Sequence, residues 1–144
     1  QLEAPSLGIQ LSPLMRQRCY EAMRNSQVGI HQMSRLHATV SDALTRLGIG
    51  HTNELCLPVL GYHVDIVLHD RDVVIEVNGP AHYDENLQLY PPTQMKMRHM
   101  WLMGWRTLVV PHWEWYAAGT HEGEEAYIRT LLARLADGDA IDAP

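Results

Sequence analysis

The sequence predicts one mixed α and β domain, with elements in the order α, α, β, β, β, α, β, α. Three observations carry that expectation. Apolar residues Met33, Leu36, Val40, Ala43 or Leu44, and Leu47 recur at helical spacing. Two apolar runs, 62–68 and 73–77, flank the polar His69-Asp70-Arg71-Asp72, as in a β-hairpin. A helical pattern beginning at Pro91 ends at Gly104 and leads into a third apolar run, 105–110. At 144 residues and 46% apolar content the chain can close one core.

The elements follow in order. Residues 1–12 read as a leader, and Ser12-Pro13 as the cap and first turn of a short helix to about Asn25, with Leu14, Cys19, Ala22 and Met23 as its apolar residues. The second helix carries Arg35, Asp42 and Arg46 on its outer side and stops at Gly48 or Gly50. Glu54–Leu60 is a short strand, and Pro58 suggests an edge or a bulge. The hairpin strands end at the turn Asn78-Gly79-Pro80. Pro91-Pro92-Thr93 opens a helix to about Met103 with Met97, Met100 and Trp101 as its buried stripe. Trp105–Val110 is a buried strand and Pro111–Tyr116 an aromatic loop. The last helix runs from Glu122 to Ala136, with acids in its first turns and Arg134 near its end, in line with the macrodipole.

Composition excludes several classes. Charged residues are 19%, too few for a disordered chain, and no apolar run nears the ~20 residues needed to span a bilayer. Two cysteines, Cys19 and Cys56, make neither a disulfide scaffold nor a cysteine zinc module, and suit a reducing compartment. The nine histidines show no zinc-like spacing. The opening Gln1-Leu2-Glu3 has neither an initiator Met nor a signal-like segment and reads as a piece of a longer protein. A net charge of -6 argues against a freestanding nucleic-acid binder. From Glu114 onward there are seven acids and two arginines, whereas residues 1–113 carry ten acids and nine Lys or Arg, so a local basic surface is left open outside the C-terminal third. Lys96 is the only lysine.

The hairpin gives the sharpest chemical expectation. If Leu68 pairs with Val73, paired positions sum to 141, which sets Asp65 opposite Glu76 and His63 opposite Asn78. Opposed residues share a face with Cβ atoms about 5 Å apart. The other face then carries Val64, Ile66, Leu68, Val73, Ile75 and Val77 toward a core. Two facing carboxylates repel unless a divalent cation such as Mg²⁺ binds them or one of them keeps a proton. Alternatively they point to solvent, or Arg98 or Arg106 bridges them.

The run Val64-Asp65-Ile66-Val67-Leu68, then Val74-Ile75-Glu76-Val77-Asn78-Gly79-Pro80-Ala81-His82-Tyr83, resembles the RAP domain. So do Lys96-Met97-Arg98, Gly104-Trp105-Arg106 and Val109-Val110-Pro111-His112-Trp113-Glu114-Trp115. RAP domains typically carry E-x-D-G-P-x-H-[FY], a helix with K-x-R, then G-W and V-P-[YF]-x-E-W, and this order is met over residues 54–136. The resemblance implies a fold similar to PD-(D/E)XK and very-short-patch repair endonucleases, a mixed sheet flanked by helices, here with an N-terminal helical extension. It divides the chain into an extension over 1–30, a RAP domain over 31–137 and an acidic tail over 138–144.

The resemblance also implies a site. Asp65 and Glu76 match the acids that hold Mg²⁺ or Mn²⁺ in the nuclease pattern. The position of its lysine is Asn78, where RAP domains usually have Asp, and Asn brings no positive charge. Lys96, on the following helix, is the candidate replacement, with His82 as a base or phosphate contact. The catalytic set is then Asp65, Glu76, Lys96 and His82, and the RNA-contacting set His63, Asn78, His82, Lys96, Arg98 and Arg106.

Three functions stay open. The first is an RNA-binding and RNA-processing module of an organellar protein, in the mitochondrial matrix by resemblance, with partners in a larger RNA-processing or ribosome-related complex and no membrane contact. The second is an active Mg²⁺- or Mn²⁺-dependent endoribonuclease. The third is a non-catalytic protein-interaction domain in a ribonucleoprotein, which the acidic C-terminal helix favours. In the bland alternatives, the methionines of the Lys96 helix are packing residues, His82 is structural, and one of Trp113 and Trp115 is core while the other is exposed. Geometry tests these readings. Trp105 and Val109 should be buried and Arg106 partly exposed. Lys96 should lie within about 10 Å of a carboxylate if it serves one, at most through one bridging water.

Overall fold

The structure, a computed structural model, describes residues 33–57, 61–69 and 71–135. The expected first helix, the extension over 1–30, the tail over 138–144, and Cys19 and Pro58 lie outside the described residues.

Helix α1, Arg35–Arg46, starts at Ser34, whose side chain accepts a hydrogen bond from the His37 amide. Strands β1 (His51–Leu57), β2 (Tyr62–Leu68) and β3 (Val73–Asn78) follow. A single 3₁₀ turn, Pro80–His82, leads to helix α2 (Pro91–Leu102), then strand β4 (Arg106–Pro111) and helices α3 (His112–Ala118) and α4 (His121–Ala133). The four strands form one sheet in the order β1-β2-β3-β4. β1–β2 and β2–β3 are antiparallel and β3–β4 parallel, so the sheet is mixed, as expected.

Both faces of the sheet are covered. On one, Ile66, Leu68, Val73, Ile75, Val77, Leu108 and Val110 join Leu36, Val40, Ala43 and Leu44 of α1, Trp115 of α3, and Ile128 and Leu131 of α4. On the other, Val64, Val67 and Val74 join Leu57 and Met97 and Met100 of α2. All six residues of β3 are buried, which is why its sequence is nearly continuously apolar rather than alternating.

Several expectations are corrected by this packing. The β2–β3 register does sum to 141 at Ile66↔Ile75 and Val67↔Val74. Val64, however, belongs to the α2-side core while Ile66 and Leu68 belong to the α1 side. Alternation breaks at Asp65, and in β1 at its counterpart Glu54, which takes a left-handed φ of 53° and drops out of the ladder between Asn53↔Ile66 and Leu55↔Val64. The face expected to be polar is instead a second core with Glu76 and Asn78 set into it.

The first strand begins at His51 rather than Glu54. The aromatic loop at Pro111–Tyr116 is the end of β4 followed by helix α3. Trp115 is buried and Trp113 half-buried, a division the sequence reading anticipated in kind. Trp105 and Val109 are half-buried rather than buried, and Arg106 is half-buried.

Trp101 is exposed, not part of the stripe. At 100° per residue, Lys96 and Trp101 lie about 70° to either side of the Met97–Met100 midline. Glu76 lies under the Lys96 edge, whereas Trp101 on the other edge is 52% exposed.

Two glycines are required by geometry. Gly104 ends α2 with φ 87°, a left-handed backbone that a side chain would strain. Gly123 lets α4 approach α3 closely, since a Cβ there would sit 2.1 Å from the Ala118 carbonyl oxygen.

Candidate functional site

The C-terminal end of β3 gathers the chemistry. Glu76 and Asn78 come from β3, Asp65 from the break in β2, and Lys96 from the first half of α2. Lys96 Nζ lies 2.6 Å from Glu76 Oε2, well inside the reach the sequence reading required of it. Lys96 lays its stem along α2 and brings its amine inward, as long basic side chains do.

Asp65 does not sit beside Glu76 as an ordinary cross-strand pair. Its Oδ2 accepts a hydrogen bond of 2.6 Å from the Val77 amide, one residue beyond Glu76. The β2–β3 ladder runs through Ile66↔Ile75, and the next contact is made by this carboxylate. Opening the strands there frees the Val77 amide, and Asp65 satisfies it.

Glu76 is 3% exposed. Burial pushes its carboxyl up to about 7. Lys96 opposes that shift, the charge of Asp65 adds to it, and the Asp65 main chain opposes it slightly. Desolvation thus outweighs the ion pair. Among the described residues the buried Glu76 Oε1 has no hydrogen-bond partner.

Beyond Glu76 the strand ends in a polar and aromatic floor. Asn78 and the Tyr83 hydroxyl are buried together, and among the described residues neither has a partner of good geometry. Burial raises the Tyr83 phenol, with Asn78 opposing and Glu114 adding. The Tyr83 ring meets Trp113 edge-on at 4.6 Å, and His112 stands 5.0 Å from Trp113.

The remaining expected residues divide. His82 is exposed on the 3₁₀ turn, with Nδ1 3.5 Å from Thr93 Oγ1 at the start of α2. Arg98 is exposed on α2, two residues beyond Lys96. His63 lies two residues before Asp65, opposite Cys56 of β1. Arg106 is not brought to the site. It pairs with Val73, whereas Glu76 pairs with Val109 three residues on, about 10 Å along the strand. Its guanidinium donates to the Leu135 carbonyl just past α4, a structural task. Neither Arg98 nor Arg106 bridges the acids; Lys96 is the cation on Glu76.

The sequence reading missed two residues at this end of the sheet. His37 of α1, 2% exposed, and Glu54 of β1 converge with Asp65, their ligand-capable atoms lying within 4.8 Å of one another. Asn53-Glu54 interrupts the apolar pattern ahead of Leu55, and opposite Asp65 that interruption is the signal that could have found Glu54.

The orphaned Glu76 Oε1 fits the divalent cation that the nuclease pattern implies, with Glu76 and Asp65 as the residues to hold it. Such a cation would supply polarisation of a phosphate oxygen and an activated water. The protein's own cation at this place is the Lys96 ammonium, 2.6 Å from Glu76 Oε2.

Comparison with known proteins agrees with this architecture. Residues 75–131 match the family model of the RAP domain. A RAP domain-containing protein, chloroplastic, from Oryza sativa subsp. japonica is 26% identical over 132 residues, which is 91% of this chain and 20% of that relative. The chain thus spans about a fifth of the relative's length. Among solved structures, the catalytic domain of the homing endonuclease I-Bth0305I superposes with a TM-score of 0.53 at 17% identity, covering 69% of this chain and 95% of that one. That likeness bears on the fold, and it is the endonuclease-like mixed sheet expected from the motifs. Residues 75–131, from the middle of β3 to α4, thus carry the match to the RAP domain that the sequence motifs led one to expect.

Proposed function

We propose that this chain is an RNA-binding and RNA-processing module of an organellar protein, built on a nuclease-like fold. The carrying observation is the meeting of Asp65, Glu76 and Lys96 at the end of β3, with Lys96 Nζ 2.6 Å from Glu76. His82 is exposed on the 3₁₀ turn, Tyr90 at the start of α2, and Met95, Arg98 and Trp101 along that helix. Basic groups to meet phosphates and exposed rings to stack on bases are what single-stranded RNA requires. The rice relative's chloroplastic designation supports an organellar setting; the mitochondrial matrix is the compartment we propose. Partners in a larger RNA-processing complex follow from the same reading.

The Lys96–Glu76 contact also favours a second reading, a Mg²⁺- or Mn²⁺-dependent endoribonuclease through Asp65 and Glu76. Lys96 supplies the charge that Asn78 lacks. One experiment separates the two: the chain on labelled single-stranded RNA with Mg²⁺, Mn²⁺ or EDTA, wild type beside Lys96→Ala. Binding without cleavage, weakened modestly by Lys96→Ala with a salt slope lower by about one unit, is the binding module. Metal-dependent cleavage abolished by Lys96→Ala with binding kept is the enzyme. Absence of RNA binding at moderate salt overturns both.

A further inference from the structure

A chain of hydrogen bonds links β1 to α1 and ends at His37, beside Glu54 and Asp65. Its start is fixed by a carbonyl. His51 Nδ1 lies 2.9 Å from the Ile49 carbonyl oxygen, which only accepts, so His51 Nδ1 carries the hydrogen. In that tautomer His51 Nε2 is an acceptor, and the Ser41 hydroxyl, 2.8 Å away, donates to it. Ser41 Oγ has spent its one hydrogen and accepts from Asn53 Nδ2 at 2.9 Å. This orients the Asn53 amide, so Asn53 Oδ1 faces His37 Nε2 at 3.2 Å and His37 Nε2 must donate. His37, 2% exposed, then has Nδ1 as its remaining ligand-capable atom. That atom lies 3.0 Å from Glu54 Oε1.

Two acceptors in contact need either a proton or a metal cation between them. A third acceptor stands by: a carboxylate oxygen of Asp65 lies within 4.8 Å of both. A separation of about 3 Å is the spacing of adjacent ligands around a six-coordinate ion with bonds of about 2.1 Å. The Nε2–H bond to Asn53 is the outer-shell contact that fixes the ring of a metal-bound histidine.

We propose that His37 Nδ1, Glu54 and Asp65 form a binding site for a first-row divalent cation, on the α1 side of the strand break and separate from the Glu76–Lys96 pair. One imidazole and two carboxylates suit Mn²⁺, Fe²⁺ or Zn²⁺ better than Mg²⁺, which favours all-oxygen shells. The site stands whether or not the protein acts on RNA, since it rests on the α1–β1 network and not on Lys96. Glu54 takes a left-handed φ of 53°, and its carboxylate lies 3.0 Å from His37 Nδ1.

The test is Mn²⁺ binding to the full 144-residue chain, followed by pulsed electron paramagnetic resonance. Bound Mn²⁺ is expected to show coupling to one ¹⁴N nucleus. Glu54→Gln, at a partly exposed position, should weaken binding tenfold or more, and Glu76→Gln should keep both the affinity and the nitrogen coupling. His37→Gln should remove the coupling; a melt in the absence of metal checks that this variant is folded, and wild type with Glu54→Gln decides the matter if it is not. Mn²⁺ bound with no nitrogen coupling, or binding lost in Glu76→Gln and kept in Glu54→Gln, places the ion among the Asp65–Glu76 oxygens and overturns the proposal. So does the absence of binding at millimolar Mn²⁺, in which case a protonated imidazolium–carboxylate pair fills the gap.

Discussion

Glu76→Gln isolates the cost of a buried carboxylate. In the folded protein the group titrates at about 7, against 4.5 when free. Between those two values the native state holds a proton that the unfolded chain has released. Stability therefore falls as pH rises through the window and is level on either side of it. A shift of this size corresponds to about 3 kcal/mol at 1.36 kcal/mol per unit. Glutamine has nearly the same shape and no proton to lose. Urea unfolding of both proteins at several pH values from 4 to 8, followed by tryptophan fluorescence, gives the two stability curves. The variant's stability relative to wild type is expected to rise by about 3 kcal/mol between pH 4 and pH 8. Other titrating groups appear in both curves and cancel in the difference. Parallel curves would show that Glu76 is effectively hydrated. A wild type that gains on the variant with rising pH would show that Lys96, and not burial, sets the state of the pair.

Further outcomes follow from other contacts. Gly123→Ala should destabilise the fold although alanine is the better helix former, because the Cβ meets the Ala118 carbonyl at 2.1 Å; overpacking of ~1–3 kcal/mol against a propensity gain of ~1 kcal/mol predicts a lower Tm in a thermal melt. Trp115→Phe should cost about 1 kcal/mol in urea unfolding beyond its lost volume, since the indole N–H donates to Thr39 Oγ1 at 2.9 Å. Trp101→Ala should leave the Tm unchanged, as the ring is 52% exposed, yet weaken single-stranded RNA binding by about 1–3 kcal/mol in a titration if the ring stacks on a base.

What the sequence made legible was whatever depends on short-range order. The hairpin register followed from its turn and its apolar runs, and Ile66↔Ile75 and Val67↔Val74 obey it. Helix ends at Pro91 and Gly104 followed from local backbone chemistry. The family motifs located Glu76 and Lys96 without any geometry. What stayed hidden was the orientation of side chains past an irregularity. Period-two counting carried Val64 and Asp65 onto the wrong sides because it assumes an unbroken strand, and nothing local in Glu54 announces a φ of 53°. Trp101 was misplaced for a related reason: helical spacing defines a stripe, but its exact edge is chosen by what lies beneath it.

The same irregularity explains why an apolar sheet can carry chemistry at all. Val73, Val74, Ile75 and Val77 are buried on both faces of the central strand, an environment hostile to charge. Had β2 kept its alternation and its ladder past Ile66, the Val77 amide would have been taken by a main-chain partner and Asp65 would have had to sit as an ordinary residue against the α2 core. Breaking the strand at Asp65 and Glu54 turns both carboxylates out of that packing and leaves one amide for Asp65 to bind. Glu76 remains on the regular strand, so it bears the desolvation, and Lys96 is the only cation in contact with it among the described residues. The break therefore gives the acids two environments, one hydrogen-bonded and half-exposed, the other buried with its proton held near neutrality. A pair of acids kept apart in this way can exchange a proton for a cation at physiological pH, which two equivalent carboxylates side by side on one face would not do.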